Sequence, residues 1–289
     1  MDLQFFLAAN SGRGFVSCYE DFPGEGVFLH IIKGGPGTGK SGFMRRIRDA
    51  AAARGLDTES ILCSGDPDSL DAVCIPALAQ AWVDGTAPHV REPAVFGTDS
   101  DYVNLGQFCR TPLPEPESRR AAALTAAYKA SYREAYDQLH TALETIGPAA
   151  EIQLPEGVER RYLSAISCRG ELRLTETINK LCKQIAPSTE LFRALERAAA
   201  QGEKAIACLQ PLDSGCLEAV LLPGQSLALL KPEEPEPAPA RRAKARAMEK
   251  LRQAKALHDA LEEVYRPFMD FAALDAFTER CLGALFDRS

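Results

Sequence analysis

The amino-acid sequence predicts an α/β fold built as two units of one plan, each followed by a long helical arm. Three observations predict it. A short apolar, β-branched run at residues 27–32 is followed by a glycine-rich loop and then by a segment with helical spacing. Blocks of the first half recur in order in the second. Residues 119–146 and 241–265 have the Ala, Leu, Glu and Arg content of helices.

In chain order, residues 4–9 and 15–19 are strand-like runs separated by Asn10-Ser11-Gly12-Arg13-Gly14, the composition of a hairpin turn. Arg13 reads as a solvated turn arginine, or as a group reaching a phosphate or a neighbouring subunit. Residues 22–26 make a second turn that leads into the run at 27–32, whose character is that of a buried parallel strand. Gly34-Gly35-Pro36-Gly37-Thr38-Gly39-Lys40-Ser41 then fits the pattern G-x-x-x-x-G-K-[ST] with no substitution. The segment 41–54 places Phe43, Ile47 and Ala50 or Ala51 on one helical face and stops at Gly55.

Strand, glycine loop and helix together make a phosphate site. Glycines allow positive φ and bring backbone N–H groups close to phosphate oxygens. The N-terminus of the following helix directs its partial positive charge at the same oxygens. Gly35, Pro36, Gly37, Thr38, Gly39, Lys40 and Ser41 are the expected nucleotide-binding residues. Lys40 suits the β- and γ-phosphates, and the Ser41 hydroxyl suits one Mg²⁺ position. ATP is expected in preference to GTP, because no N-K-x-D string occurs; Asn179-Lys180 lacks the following Asp.

Residues 59–63 read as a second strand that ends in the acidic run Ser64 to Asp71. Ligands of an open parallel sheet lie outside the carboxyl ends of its strands, which makes Asp66 a candidate metal carboxylate. Asp68-Ser69 also suits the cap of a helix over residues 70–78. A third apolar run, 79–83, ends at Asp84, the place of a carboxylate that organises Mg²⁺ beside Ser41; the alternative is an ordinary strand-end turn. No Glu follows Asp84, so the acidic pair by which many ATPases activate water is missing. His89, in the following segment, is a third candidate catalytic residue with Lys40 and Asp84, or else a surface histidine. Residues 104–118 are loop-like, and the helix expected at 119–146 would be about 40 Å long.

Repeats extend this plan over the whole chain. Tyr162-Leu163-Ser164-Ala165 through Arg169-Gly170 echoes Phe6-Leu7-Ala8-Ala9 through Arg13-Gly14, and residues 188–231 align without a gap on 41–84. Asp213 falls on Asp66, and Leu257-His258-Asp259-Ala260-Leu261-Glu262 on Leu139-His140-Thr141-Ala142-Leu143-Glu144. The copies differ where the chemistry lies. No glycine loop remains in the second, Lys40 corresponds to Pro187, and Asp84 to Lys231. The second half therefore reads as a pseudo-NTPase unit.

A net charge of −7 argues against a general affinity for nucleic acid or anionic membrane. No apolar run approaches a membrane span, and the N-terminus has no basic signal-peptide start. Nine cysteines without a C-x-x-C pair suit reduced thiols in a cytoplasmic protein.

The run FFLAANSGRGFVSCYEDFPGEGVFLHIIKGGPGTGKSGFMRRI, with CSGDPDSLDAVCIPAL and WVDGTAPHV, resembles a bacterial family of tandem P-loop ATPases. The likeness covers nearly the whole chain and is most specific at residues 5–90. Members of that family are usually longer and often carry a phosphate loop in both halves, from which this second half departs. The resemblance implies nucleotide binding in a cytoplasmic protein and supplies no substrate. The combined expectation is a P-loop NTPase unit with its arm at 1–155 and a degenerate unit with C-terminal helices at 156–289. MgATP would serve an ATPase switch with a protein or small-molecule partner. The alternatives are a small-molecule or nucleotide kinase and a nucleotide-gated scaffold with little turnover.

Overall fold

In the computed structural model, which describes residues 2–286, the chain begins with β1 (Asp2–Phe5) and a hairpin of β2 (Ala8–Ser11) and β3 (Gly14–Ser17). β4 (Phe28–Lys33), α1 (Lys40–Ala52), β5 (Thr58–Leu62), β6 (Leu70–Ile75), β7 (Gln80–Asp84), β8 (Ser100–Asn104) and the long α2 (Glu115–Ile146) follow. The second half runs β9 (Glu159–Arg161), β10 (Ser164–Ser167), β11 (Gly170–Arg173), α3 (Thr175–Asn179), β12 (Cys182–Ile185) and α4 (Ser188–Ala200). It ends with β13 (Ile206–Leu209), β14 (Leu217–Leu222), β15 (Leu227–Leu230), α5 (Ala238–Tyr265) and α6 (Phe271–Phe286).

One sheet has the order β1-β5-β6-β7-β4-β8 and the other β12-β15-β14-β13-β9. Apart from β8, the two orders and strand directions correspond position by position. The expected parallel sheet is corrected to a mixed one: β6 runs antiparallel to both β5 and β7, and β14 to both β13 and β15. The helix expected at 70–78 is likewise corrected, since Leu70–Ile75 is strand β6. All six of its residues are buried, and a short turn joins it to β5. Such a turn can return a chain antiparallel, whereas a parallel return needs a long crossover. Burial on both faces removes the polar alternation that separates a strand from a helix in sequence.

The strand run expected at 4–9 is broken at Phe6, whose N–H and carbonyl pair with Tyr162 at 2.9 and 2.8 Å. These two residues occupy equivalent positions in the repeated blocks, so the halves meet there backbone to backbone. Arg13 is not a free turn arginine. It donates to Asp213 at 3.0 Å and to the Ala149 carbonyl at 2.7 Å. Arg169, its counterpart, bonds Asp68 in the other half.

Alternation along the strands of the first sheet divides its residues between two cores. Ile31, Ala72, Cys74, Ala81 and Val83 join a cluster shared with the second sheet and α4. Ile32, Val73, Ile75 and Trp82 pack instead with Phe43, Met44 and Ile47 of α1 and with Leu274 of α6. The apolar face of α6 thus returns to the first sheet, with Phe277, Leu282 and Leu285 against that core. The two arms pack on each other antiparallel. Ala135, Leu139 and Ala142 meet Ala240, Ala243, Ala247 and Leu251 at one end, and Ala121 meets Leu261 and Val264 at the other. No helix among the described residues is long and apolar enough to cross a membrane.

Arg161 joins the halves below the surface. Its guanidinium is fully buried, donates to Glu59 at 2.8 Å and to Glu159 at 2.9 Å, and lies 5.6 Å from the centre of the Phe22 ring. Burial works against the charge, but Glu59 and Glu159 outweigh it and hold the group protonated. Arg161→Ala strands Glu59 uncompensated, a change that typically destabilises by about 3–5 kcal/mol. Urea unfolding should show that loss, and a loss below about 1 kcal/mol would contradict the assigned pairing.

Candidate nucleotide site

The strand β4 ends at Lys33, and the loop 34–39 carries the chain to α1. Gly37 and Gly39 have φ of +69° and +83°, values that would strain a residue with a Cβ. Gly39 caps α1 without any side-chain bond, which leaves the first-turn N–H groups directed toward the loop. Thr38 Oγ1 donates to the Gly35 carbonyl at 2.8 Å and braces the curve. The Lys40 ammonium donates to the carbonyls of Gly34 and Gly35 at 3.1 and 3.0 Å and lies 3.6 Å from Asp84 Oδ2.

β7 is parallel to β4 with Asp84 opposite Ile32, so the acid is delivered to the edge where the loop begins. Asp84 Oδ1 accepts from the Thr86 N–H at 2.9 Å and its hydroxyl at 2.6 Å, which leaves Oδ2 toward Lys40. Ser41 Oγ accepts from the Leu70 N–H at 2.9 Å, and its second lone pair is available to a cation. A hydroxyl and a carboxylate oxygen are hard ligands of the kind Mg²⁺ takes.

Asp66 is placed in the turn after β5. It accepts from Ser69 Oγ at 2.9 Å and pairs with Lys255 of α5 at 3.4 Å. His89 is only 9% exposed. Its ring stacks on Tyr19 with centroids 4.4 Å apart, Nε2 is 3.4 Å from Asp71 Oδ2, and Nδ1 has no hydrogen-bond partner. Tyr19 donates to the same carboxylate oxygen at 2.8 Å. The structure therefore joins Lys40 to Asp84, and groups Asp66 and His89 with other residues.

Asp71, which closes the acidic run of the sequence and is there an alternative to Asp84, lies on a strand rather than a helix, next to the β6–β7 pairing that brings Ala72 opposite Val83. Burial pushes its carboxyl up, Asp84 adds to that, and His89 and Tyr19 oppose it. Burial and the neighbouring Asp71 also push the Tyr19 hydroxyl well up. α5 and α6 cover the loop from the second half. A methyl group on Gly37 would lie 3.1 Å from the Glu262 carbonyl oxygen and 3.3 Å from its Cβ, and one on Gly39 would lie 2.7 Å from Leu274 Cδ2. The only trace in sequence is the recurrence of the Leu-His-x-Ala-Leu-Glu block in both arms.

In the second half, α4 begins at Ser188 after Pro187, which has no N–H, and Lys231 follows β15. Pro187 lines a cavity of about 490 Å³ with Gln184, Glu190 and Arg197, the last two paired at 2.8 Å. No family model, curated protein or solved structure matches the chain.

The raised Asp71 carboxyl has a consequence for stability against pH. Its folded pKa lies above the ordinary 3.8, so its contribution is present below that value and is lost as pH rises through the folded pKa. Asp71→Asn escapes this loss. In urea unfolding between acid and neutral pH, the stability of Asp71→Asn relative to the parent should rise with pH; a difference that stays flat would refute the assignment.

Proposed function

We propose that the first unit binds MgATP and hydrolyses it, and that the cycle acts as a conformational switch between the two halves. The observation carrying this reading is the loop Gly34 to Ser41 between β4 and α1, with Lys40 beside Asp84 at its mouth. Amides of residues 35–40 and the Lys40 ammonium are the groups suited to charge on a transferring phosphoryl group. Lys40 now rests on Gly34, Gly35 and Asp84, contacts for which phosphate oxygens compete directly. Ser41 and Asp84 are the residues suited to hold Mg²⁺, which when bound neutralises phosphate charge.

The switch follows from linkage. A ligand shifts a conformational equilibrium only by its differential affinity for two states. Here the ligand loop is in contact with α5 and α6, so any movement of residues 37–39 is felt by helices that also bind α2 and the first sheet. Among the phosphate residues of the first unit, the second unit has no counterpart for Lys40 or Asp84, and in this reading it is a pseudo-NTPase that serves by packing. The kinase reading needs an accessible acceptor site, whereas the candidate catalytic residue His89 is buried against Tyr19 and Asp71.

Titration with a non-hydrolysable ATP analogue should give one site per chain, with phosphate release from ATP requiring no added acceptor. Lys40→Ala should lose on the order of 10²-fold or more in turnover while still unfolding in one cooperative transition. Asp84→Asn should lower Mg²⁺-dependent turnover more than metal-free nucleotide binding. A second equivalent site would refute the pseudo-NTPase assignment. Undiminished turnover in Lys40→Ala would remove the site, and turnover only with added metabolites would favour the kinase. Binding without turnover would leave a nucleotide-gated scaffold.

A further inference from the structure

We infer that Glu262, carried by α5 from the second half, is the carboxylate that activates water for ATP hydrolysis in the first half. This rests on the hydrolysis reading above and deepens it by naming the missing acid.

Hydrolysis needs a group at the terminal phosphate that orients water and takes its proton. No Glu follows Asp84 to do this. The acids at the edge of the first sheet are already committed. Asp84 holds Thr86 and faces Lys40, Asp71 is buried under Tyr19 and His89, and Asp66 is tied to Ser69 and Lys255. Glu262 differs from all three. Its carboxylate has no hydrogen-bond partner among the described residues; the His258 ring lies 3.9 Å away and the Asp259 carboxylate within 4.8 Å. Its side chain is 44% exposed, so a water has access to it.

The loop is shaped to receive this residue. Gly37 has positive φ, and a Cβ there would press into the Glu262 backbone and Cβ. The glycine at the loop tip thus does two things: it permits the phosphate-binding turn, and it admits α5 to van der Waals contact. A carboxylate carried on that Cβ is one side-chain length from the tip of a loop that holds phosphate. The position is held from behind by Leu261 and Val264, which pack on Ala121 of α2, and from the side by Leu274 against Gly39.

The water oxygen forms a bond to the γ-phosphorus as the bond from that phosphorus to the β–γ bridging oxygen breaks. The electron pair of the broken bond stays on the ADP oxygen, and the water proton passes to Glu262, which then releases it to phosphate or solvent. Because α5 follows the second unit, that unit without phosphate chemistry of its own supplies a reacting group to the first.

Glu262→Gln preserves size and the backbone contact with Gly37, and therefore separates chemistry from packing. In the full-length protein it should reduce phosphate release by about 10²–10⁴-fold. Its affinity for a non-hydrolysable ATP analogue should stay within threefold of the parent, and it should retain unhydrolysed ATP through desalting. Glu263→Gln, whose residue pairs with Arg266, is the control and should hydrolyse normally. Hydrogen exchange on the parent supplies a readout independent of turnover: the ATP analogue should protect residues 258–266 together with the loop at 34–41. Normal hydrolysis by Glu262→Gln alongside inactive Lys40→Ala overturns this inference and leaves the ATPase reading standing. Protection confined to the loop also overturns it. A parent protein that binds ATP and releases no phosphate removes both.

Discussion

The antiparallel seam between α2 and α5 is the interaction on which the remaining architecture depends. Helices of 32 and 28 residues span about 48 and 42 Å, and the side chains buried along the seam are largely small. Ala121, Ala135 and Ala142 on one helix and Ala240, Ala243 and Ala247 on the other are among them. A helix held along its length by α2 has its far end placed as well. That end is Glu262, against Gly37, after which the chain turns and α6 runs back over α1.

Charge between the halves does a different job from apolar contact. Arg13 with Asp213 and Arg169 with Asp68 join the hairpin of each half to the acidic turn of the other. These pairs are partly or largely exposed, and such pairs are worth little in stability. Their value is in register, because each is satisfied in only one relative placement of the units. Arg161 is the contrasting case. Buried with Glu59 and Glu159, it makes the same connection where an unpaired charge has no water to fall back on.

The glycine loop at 34–39 and its flanking strand and helix were legible from residue types alone, since glycines that permit positive φ between an apolar run and a helical segment answer to local backbone geometry. The arms were legible because their composition and helical spacing extend over many turns. β6 was not, because a strand buried on both faces has no alternation to reveal it. β8 also escaped, since Ser-Asp-Tyr-Val-Asn is a polar edge segment whose strand state comes from pairing with β4. The candidate acids divided in the same way. Asp84 follows a recognisable apolar strand, whereas Asp71 gains its surroundings from Tyr19 and His89, which come from distant parts of the chain.

By itself the sequence determined the local elements whose causes are local: the loop at 34–41, the helix that follows it, and the two arms. Only the tertiary structure decided which way β6 runs, that α6 returns to the first sheet, and that Glu262 lies against Gly37. The physical reason is separation along the chain. Residues 37 and 262 meet only because the arms pack antiparallel along their length, and no spacing within either segment encodes that encounter.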